Sequence, residues 1–406
     1  MEEAKVKKHS LKGKVRLRPE VKAIEGEIAK LRRHFHKHPE LSLKEKETSR
    51  FIAKELKSYG YEVETNVGGF GVVGLLRGKE KGKTIAIRAD MDGLPILEQV
   101  EAEYKSVNPG VMHACGHDGH MAILLGAAKV MSTWGGKLKG CLKLIFQPAE
   151  EGFGGAKEMI KDGVLEKEPK VDEIYGLHLW NYQAVGTVGV RMGPIMAASD
   201  RFCVEIKGRG GHGAVPDGTA DAIVASASLI SGLHTIVPRN ISPLDSAVLT
   251  VGTVNGGFAA NVIADAVTLQ GTVRTFEPRV QDTVIKRMCQ VCSGLSTAFD
   301  VKAELDYHKG YPCTVNRSKP HVDHLVSAAE KIVDKELIIE PRQVMCSEDM
   351  SYFLDKVPGC FFFLGSAIDL DDIRPHHKSV FDIDERCLAI GASLWVELIE
   401  QRMVKR

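Results

Sequence analysis

The sequence predicts an α/β protein: a two-segment α/β domain with a mixed sheet, interrupted by an inserted ferredoxin-like α+β domain. Three observations predict this. At 406 residues the chain exceeds the size at which a single hydrophobic core keeps growing. Strand-like and helix-like stretches alternate before about residue 197 and again after about residue 312, the pattern of a sheet covered on both faces. Between them the order is βαββαβ, a ferredoxin-like unit of domain size. The expected divisions are a basic tail over 1–20, one domain built from 21–197 and 312–406, and the insert over 198–311.

Taken in order, "KVKKHSLKGKVRLRPEVK" is locally basic and reads as a solvated, partly frayed tail. No apolar run follows it, so neither a signal peptide nor a membrane anchor is expected. "VKAIEGEIAKLRRHFHKHPEL" and "EKETSRFIAKELKSYG" carry apolar residues at helical spacing, the second ending on a glycine suited to a C-cap. Short β-rich runs follow, "YEVETN", "GVVGLLRG" and "TIAIRAD", then the helix "GHMAILLGAAKVMSTWG" and the strands "CLKLIFQP" and "EIYGLHLW". The insert reads as strand "RFCVEIKG", helix "GTADAIVASASLISGLHTIV", strands "SAVLTVGTVNG" and "AVTLQGTVRTF", helix "VQDTVIKRMCQVCSGLSTAF" and strand "DVKAELDYH". Helix "HVDHLVSAAEKIVDK", strand "GCFFFLG" and the amphipathic helix "ERCLAIGASLWVELIEQRM" complete the first domain.

Composition narrows the function. Lysine plus arginine (54) nearly cancels aspartate plus glutamate (53), so no overall field draws nucleic acid or an anionic membrane. Partners are then small molecules or another subunit. Nine scattered cysteines suit a reducing compartment, and the chain reads as cytoplasmic. The pair Cys289 and Cys292 falls inside a helical pattern with no second pair, which favours core cysteines over a zinc or redox motif. "NVGGFGVVG" lacks the Lys-Ser/Thr ending of a phosphate loop and reads as a hairpin turn.

The chemistry concentrates in "MHACGHDGH". Cys115 and His117, either side of one glycine in a loop just before a helix, can turn toward one point as a regular helix would not allow. A zinc site needs three or four ligands, so distant partners are required. Glu150 and Glu151 in "FQPAEEG" project to different sides where a strand breaks, so one can bind metal while the other faces a reacting water. "YGLHLW" offers His178, and "RPHHKSVFDIDE" offers His376 and His377. Each segment alone is weak; four of them at loop or strand ends of one α/β pattern are much harder to dismiss.

The series "RADMDGLP", "MHACGHDGHMAILLGAA", "FQPAEEGFGGAKEMI", "GLHLW", "GRGGHGAVP", "ANVIAD", "SEDMSYF" and "HHKSVFDIDE" resembles the M20 metallopeptidases. Within them it is similar to the amidohydrolase branch of hippurate hydrolases, aminoacylases and indole-acetyl-amino-acid hydrolases. The resemblance implies a catalytic domain holding two divalent metal ions, zinc first and otherwise manganese, cobalt or nickel, and an inserted lid or dimerisation domain. Carried over by position, it implies Cys115, His117, Glu151, His178 and His377 as metal ligands and Glu150 as general base. His377 is preferred to His376 for its spacing from Phe381; Ser379 stands where the family commonly has proline. His113 and His120 match no ligand position and go to packing or to supporting the ligands.

An amide is a poor electrophile with a poor leaving group, so water must be made nucleophilic and the carbonyl polarised, which is what a dinuclear centre supplies. Asp90, Asp92 and Asp118 lie close to ligand segments and are candidates to orient imidazoles, with turn-forming aspartates as the competing reading. In the insert, His212 between glycines is a candidate donor to the oxyanion, within this chain or from a partner subunit. Asn261 and Arg274 are candidate clamps for the free carboxylate of an N-acyl amino acid, with a structural ion pair as the other reading of Arg274. The expected activity is hydrolysis of N-acyl amino acids, with a homo-oligomer through the insert and no nucleic-acid or membrane partner. The alternatives are a metallo-carboxypeptidase or dipeptidase on short peptides, a thiol amidase using Cys115, and an inactive metal-binding relative.

Overall fold

The computed structural model describes residues 13–404. The chain divides into two compact units, 1–193 with 315–342 and 352–406, and 194–314 with 343–351. The short segment 343–351, which sequence texture leaves with the first domain, groups with the second. Backbone bonds explain this: Ala197 N–H lies 3.1 Å from the Val344 carbonyl and 2.9 Å from that of Cys346, and Val344 N–H donates to Ile195 O at 3.1 Å. Pairing at such separation leaves no periodicity in the sequence.

The first unit is built on an eight-stranded mixed sheet. Its centre is four parallel strands in the order Lys139–Gln147, Glu80–Asp90, Glu173–Ala184 and Gly359–Ala367. Gly71–Arg77 and Glu62–Val67 extend one edge as antiparallel neighbours. Central parallel strands are covered on both faces, which is why "TIAIRAD" and "GCFFFLG" are buried throughout rather than alternately. Helices His117–Met131 and Arg386–Met403 are also almost wholly buried, and pack with Ile85, Leu144 and Phe362 in one core. Each large apolar side chain so buried contributes about 1.5–3 kcal/mol.

Local signals set the element ends. Helix Lys46–Ser58 closes with Gly60 at φ 87°, its N–H bonded to Lys57 O and that of Tyr61 to Leu56 O, a left-handed C-terminal cap. The long first helix of the sequence reading is two, Pro19–Lys22 and Glu25–Lys37. Residues 1–12 of the basic tail lie outside the described residues. The remainder is not frayed: Arg16 N–H bonds Ile332 O at 2.6 Å, and the Arg18 guanidinium pairs with Glu397 at 2.7 Å and Glu400 at 2.8 Å. The cations that suggested solvation are here ion-pair donors.

The second unit is a four-stranded antiparallel sheet in the order Ala247–Gly256, Ala266–Thr275, Ala198–Lys207, Lys302–Tyr311. Helices Ala222–His234 and Pro278–Phe299 bury Leu229, Leu233, Val284 and Met288 with Val204 and Leu269 of the sheet. Cys292 lies in that core, but Cys289, also expected there, is exposed on the same helix. Among the described residues no helix is long and apolar enough to cross a membrane.

Candidate metal centre

The parallel strands of the first unit send their carboxyl ends into loops that carry the candidate residues, the usual place for a ligand in such sheets. Strand Glu80–Asp90 runs out to Asp92, strand Lys139–Gln147 to Glu150 and Glu151, and helix His117–Met131 starts on a candidate ligand. Gly116, at φ 92°, turns the chain between Cys115 and His117, a conformation that a side chain would resist. Gly119 lets the helix approach the His178 strand; a Cβ there would stand 2.4 Å from Leu179 Cδ1.

Cys115, His117 and His178 bring ligand atoms within 4.8 Å of one another; so do Cys115, Glu151 and His377, and His117, Glu150 and Glu151. His117 Nδ1 lies 2.9 Å from the Asp92 carbonyl, so it carries the proton and donates, leaving Nε2 buried without a hydrogen-bond partner. His178 Nδ1 likewise donates to Leu179 O at 2.7 Å, and its Nε2 is 3.5 Å from Cys115 Sγ. Both imidazoles therefore turn a lone pair inward, the arrangement found when the outer nitrogen fixes the tautomer of a metal ligand. Glu151 N–H donates to Asp92 Oδ2 at 3.0 Å, and Glu151 Oε1 is 3.1 Å from His377 Nε2. His377 has φ 60° and donates its backbone N–H to Ala114 O at 2.8 Å. Its neighbour His376 stacks on Trp180 at 5.0 Å, and its Nε2 accepts Asn181 N–H at 3.3 Å.

The electrostatics suit a cation. Burial works against a charge on His117, yet Asp90, Asp92 and Glu151 raise its pKa to about 10. The same carboxylates favour positive charge at this position, a proton or a divalent ion. Burial pushes the Cys115 thiol well up, with Glu151, Glu150 and Asp90 adding to it. Burial, then His120 and His376, drives His178 well down, so it is a neutral donor. Thiol, imidazole and carboxylate together form a donor set fitted to zinc-like ions, and the donors present fit two of them.

The supporting aspartates divide. Asp90 receives Arg88 Nη1 at 2.7 Å and His120 Nδ1 at 2.5 Å, and His120 Nε2 accepts Leu179 N–H at 2.9 Å. Both nitrogens of His120 are thereby used, which leaves it a bracket between strands. Asp92 touches His117 and Glu151 at once. Asp118, expected to orient an imidazole of the centre, instead pairs Arg32 Nε and His36 Nδ1, each at 2.7 Å. That buried network, extended by Glu98 and Asp382, has no sequence signal, because Arg32 and His36 lie on a distant helix with no motif of their own. Nor has Glu45, whose carboxylate accepts Ala149 N–H at 2.8 Å.

The candidates of the second unit have a different setting. His212 is exposed and pairs with Val262 in a two-stranded ribbon, its Nδ1 accepting Ala214 N–H at 3.1 Å. Asn261 O accepts Gly213 N–H at 2.8 Å, so His212 and Asn261 are neighbours. Arg274 is half-buried in strand Ala266–Thr275; burial lowers its pKa, and Nη1 is buried without a hydrogen-bond partner.

A profile of peptidase family M20/M25/M40 matches residues 86–401. The chain belongs to that family. It is 43% identical to an N-acetyl-L-cysteine deacetylase of Bacillus subtilis over 94% of this chain and 89% of the relative. It is 40% identical to a thermostable carboxypeptidase of Saccharolobus solfataricus over 93% of this chain and 95% of the relative. Among solved structures, a dinuclear metal-binding M20 peptidase from Bacillus subtilis superposes with TM-score 0.80 at 33% identity, covering 93% of this chain and 98% of that one. These relatives agree with an M20 amide hydrolase using two divalent metals.

Proposed function

We propose that this M20 hydrolase cleaves the amide bond of N-acyl amino acids. In this reading Cys115, His117, Glu151, His178 and His377 hold two divalent ions, with zinc the first candidate and manganese, cobalt or nickel the others. When bound, the ions supply Lewis acidity toward the amide carbonyl and acidify the attacking water. Glu150 accepts the proton of that water and passes it to the departing amine nitrogen. Asp92 holds His117 through its carbonyl and Glu151 through its carboxylate, so the two ligands keep one spacing. Asp90 fixes the neighbouring His120 bracket.

The single observation that carries the reading is the convergence of thiol, imidazole and carboxylate atoms from four distant segments, with Glu150 beside Glu151. The inserted unit, a ferredoxin-like lid or dimerisation domain in this reading, contributes His212 as oxyanion donor and Asn261 with Arg274 as carboxylate clamps, from this chain or a partner subunit. The unpaired Nη1 of Arg274 supports a ligand role over an internal ion pair. A cytoplasmic homo-oligomer completes the proposal.

A thiol amidase is disfavoured by the setting of Cys115, whose sulfur lies among the ligand atoms of His117, His178, Glu151 and His377 as a metal ligand's would. Action on short peptides remains the second reading, favoured by the likeness to a carboxypeptidase. The test is a panel of acetyl-, benzoyl- and indole-acetyl amino acids beside dipeptides, with metal-stripped and reloaded protein. Acyl amino acids turned over faster than dipeptides support the first reading; the reverse order supports the second.

A further inference from the structure

Glu45 is fully buried and stands immediately before helix Lys46–Ser58, where a carboxylate ordinarily accepts the first amides of its own helix. It makes no such bond. The Thr48 amide is instead taken by Glu40 Oε2 at 2.8 Å. The Glu45 carboxylate crosses to another part of the chain, where Oε1 accepts the backbone N–H of Ala149 at 2.8 Å. Its Oε2 is buried without a hydrogen-bond partner, and burial, with Asp92 adding to it, pushes the carboxyl up to about 7 against the lowering effect of the nearby amides of Glu45, Ala149 and Leu43. Stability alone would place an apolar residue or a local cap here, since an under-satisfied buried carboxylate is unfavourable.

What it holds is unusual backbone. Ala149 has φ 54° and ψ 45°, the left-handed region that a residue with a Cβ avoids. Glu151 follows at φ −71° and ψ 71°, outside the helical region, then Gly152 at φ 87° and Gly154 at φ 72°. Across the turn, Ala149 O accepts Gly155 N–H at 3.0 Å. Asp92 Oδ2 accepts Glu151 N–H at 3.0 Å. Two buried carboxylates thus grip the amides on either side of Glu150, one on Ala149 and one on Glu151.

We infer that Glu45 is a positioning residue for the Glu150–Glu151 turn. Its bond to Ala149 keeps the left-handed entry that directs two adjacent carboxylates to separate tasks. The inference rests on the base and ligand roles proposed above, so one of its readouts is independent of turnover. A purely structural Glu45 would satisfy a buried amide and no more.

The experiment compares Glu45→Ala, Glu45→Gln and Glu45→Ala/Ala149→Gly with the metal-loaded parent. It measures kcat and KM on an N-acetyl amino acid, metal content, and hydrogen exchange of residues 148–155. Glu45→Ala is expected to lower kcat about 10- to 100-fold, with KM within roughly threefold, metal retained and exchange in the segment accelerated. Glu45→Gln, which keeps an acceptor oxygen, should recover most of the lost kcat. Ala149→Gly, which removes the Cβ penalty, should recover part of it. A kcat loss without faster exchange in the segment, or a Glu45→Gln protein as impaired as Glu45→Ala, would overturn the inference. Should Glu45→Ala not fold, the parent decides: a protected Ala149 amide supports the hydrogen bond, and a freely exchanging one refutes it. If the parent turns over no acyl amino acid but exchange responds as expected, the function proposal fails and the positioning role stands.

Discussion

The strand-end loops of the first unit and the His212 ribbon of the second carry the same kinds of polar residue in opposite settings. In the first, three of the inward-facing groups are fixed by buried partners, His117 by Asp92, His178 by Leu179 and Glu151 by Asp92, while His377 is exposed and meets Glu151. In the second, His212 is exposed and held by a two-stranded ribbon and one backbone amide. A preorganised site should fail abruptly when one donor is removed, because its neighbours cannot rearrange. An exposed ribbon should tolerate substitution structurally and show its role only in turnover.

The largest expected effect is on the first region: chelation should reduce hydrolysis to background, and adding back a divalent ion should restore it. Glu150→Gln comes next, with kcat lower by roughly 10²–10⁴-fold and metal content unchanged by atomic absorption. Retained turnover in that variant would remove the base from the account. Arg32→Ala, which removes the buried guanidinium shared by Asp118 and Asp382, should cost about 3–5 kcal/mol in denaturant unfolding. Its pH dependence has a definite sign. Despite burial, Arg32 and His36 hold Asp118 well below the usual carboxylate range. The unfolded chain therefore binds more protons in acid. The stabilisation is present above the ordinary aspartate pKa of about 4 and is lost progressively as pH falls below it. Arg32→Ala should flatten that acid-limb slope.

For the second region, His212→Ala should lower kcat by roughly 10²–10³-fold while metal content is unchanged and stability moves by less than about 0.5 kcal/mol. Unchanged turnover would mean that the ribbon supplies no donor to the reaction. The smallest effect belongs to the exposed Cys289, where serine should change stability by less than about 0.5 kcal/mol.

Much of the first region was legible in the sequence, for a physical reason. Metal-seeking side chains at strand ends are uncommon enough that "HACGHD", "PAEEG", "GLHLW" and "PHHKS" together suggest one centre. The alternation of strands and helices likewise marks a large mixed sheet, found with its parallel strands at the centre. What was illegible depends on pairing at a distance. Glu45 reads as an ordinary helix-start carboxylate, and only the fold reveals that it bonds Ala149. Asp118 sits one residue from His117, yet its carboxylate is committed to Arg32 and His36. Segment 343–351 belongs with the second unit through backbone bonds that no local pattern announces.

The most direct test of the central claim is a titration of chelator-stripped protein with cobalt(II), followed by absorption and by activity. The account predicts two ions bound per chain, a thiolate-to-cobalt absorption band that is missing in Cys115→Ala, and activity returning with occupancy. Fewer than two ions, or the same band surviving in Cys115→Ala, would contradict it.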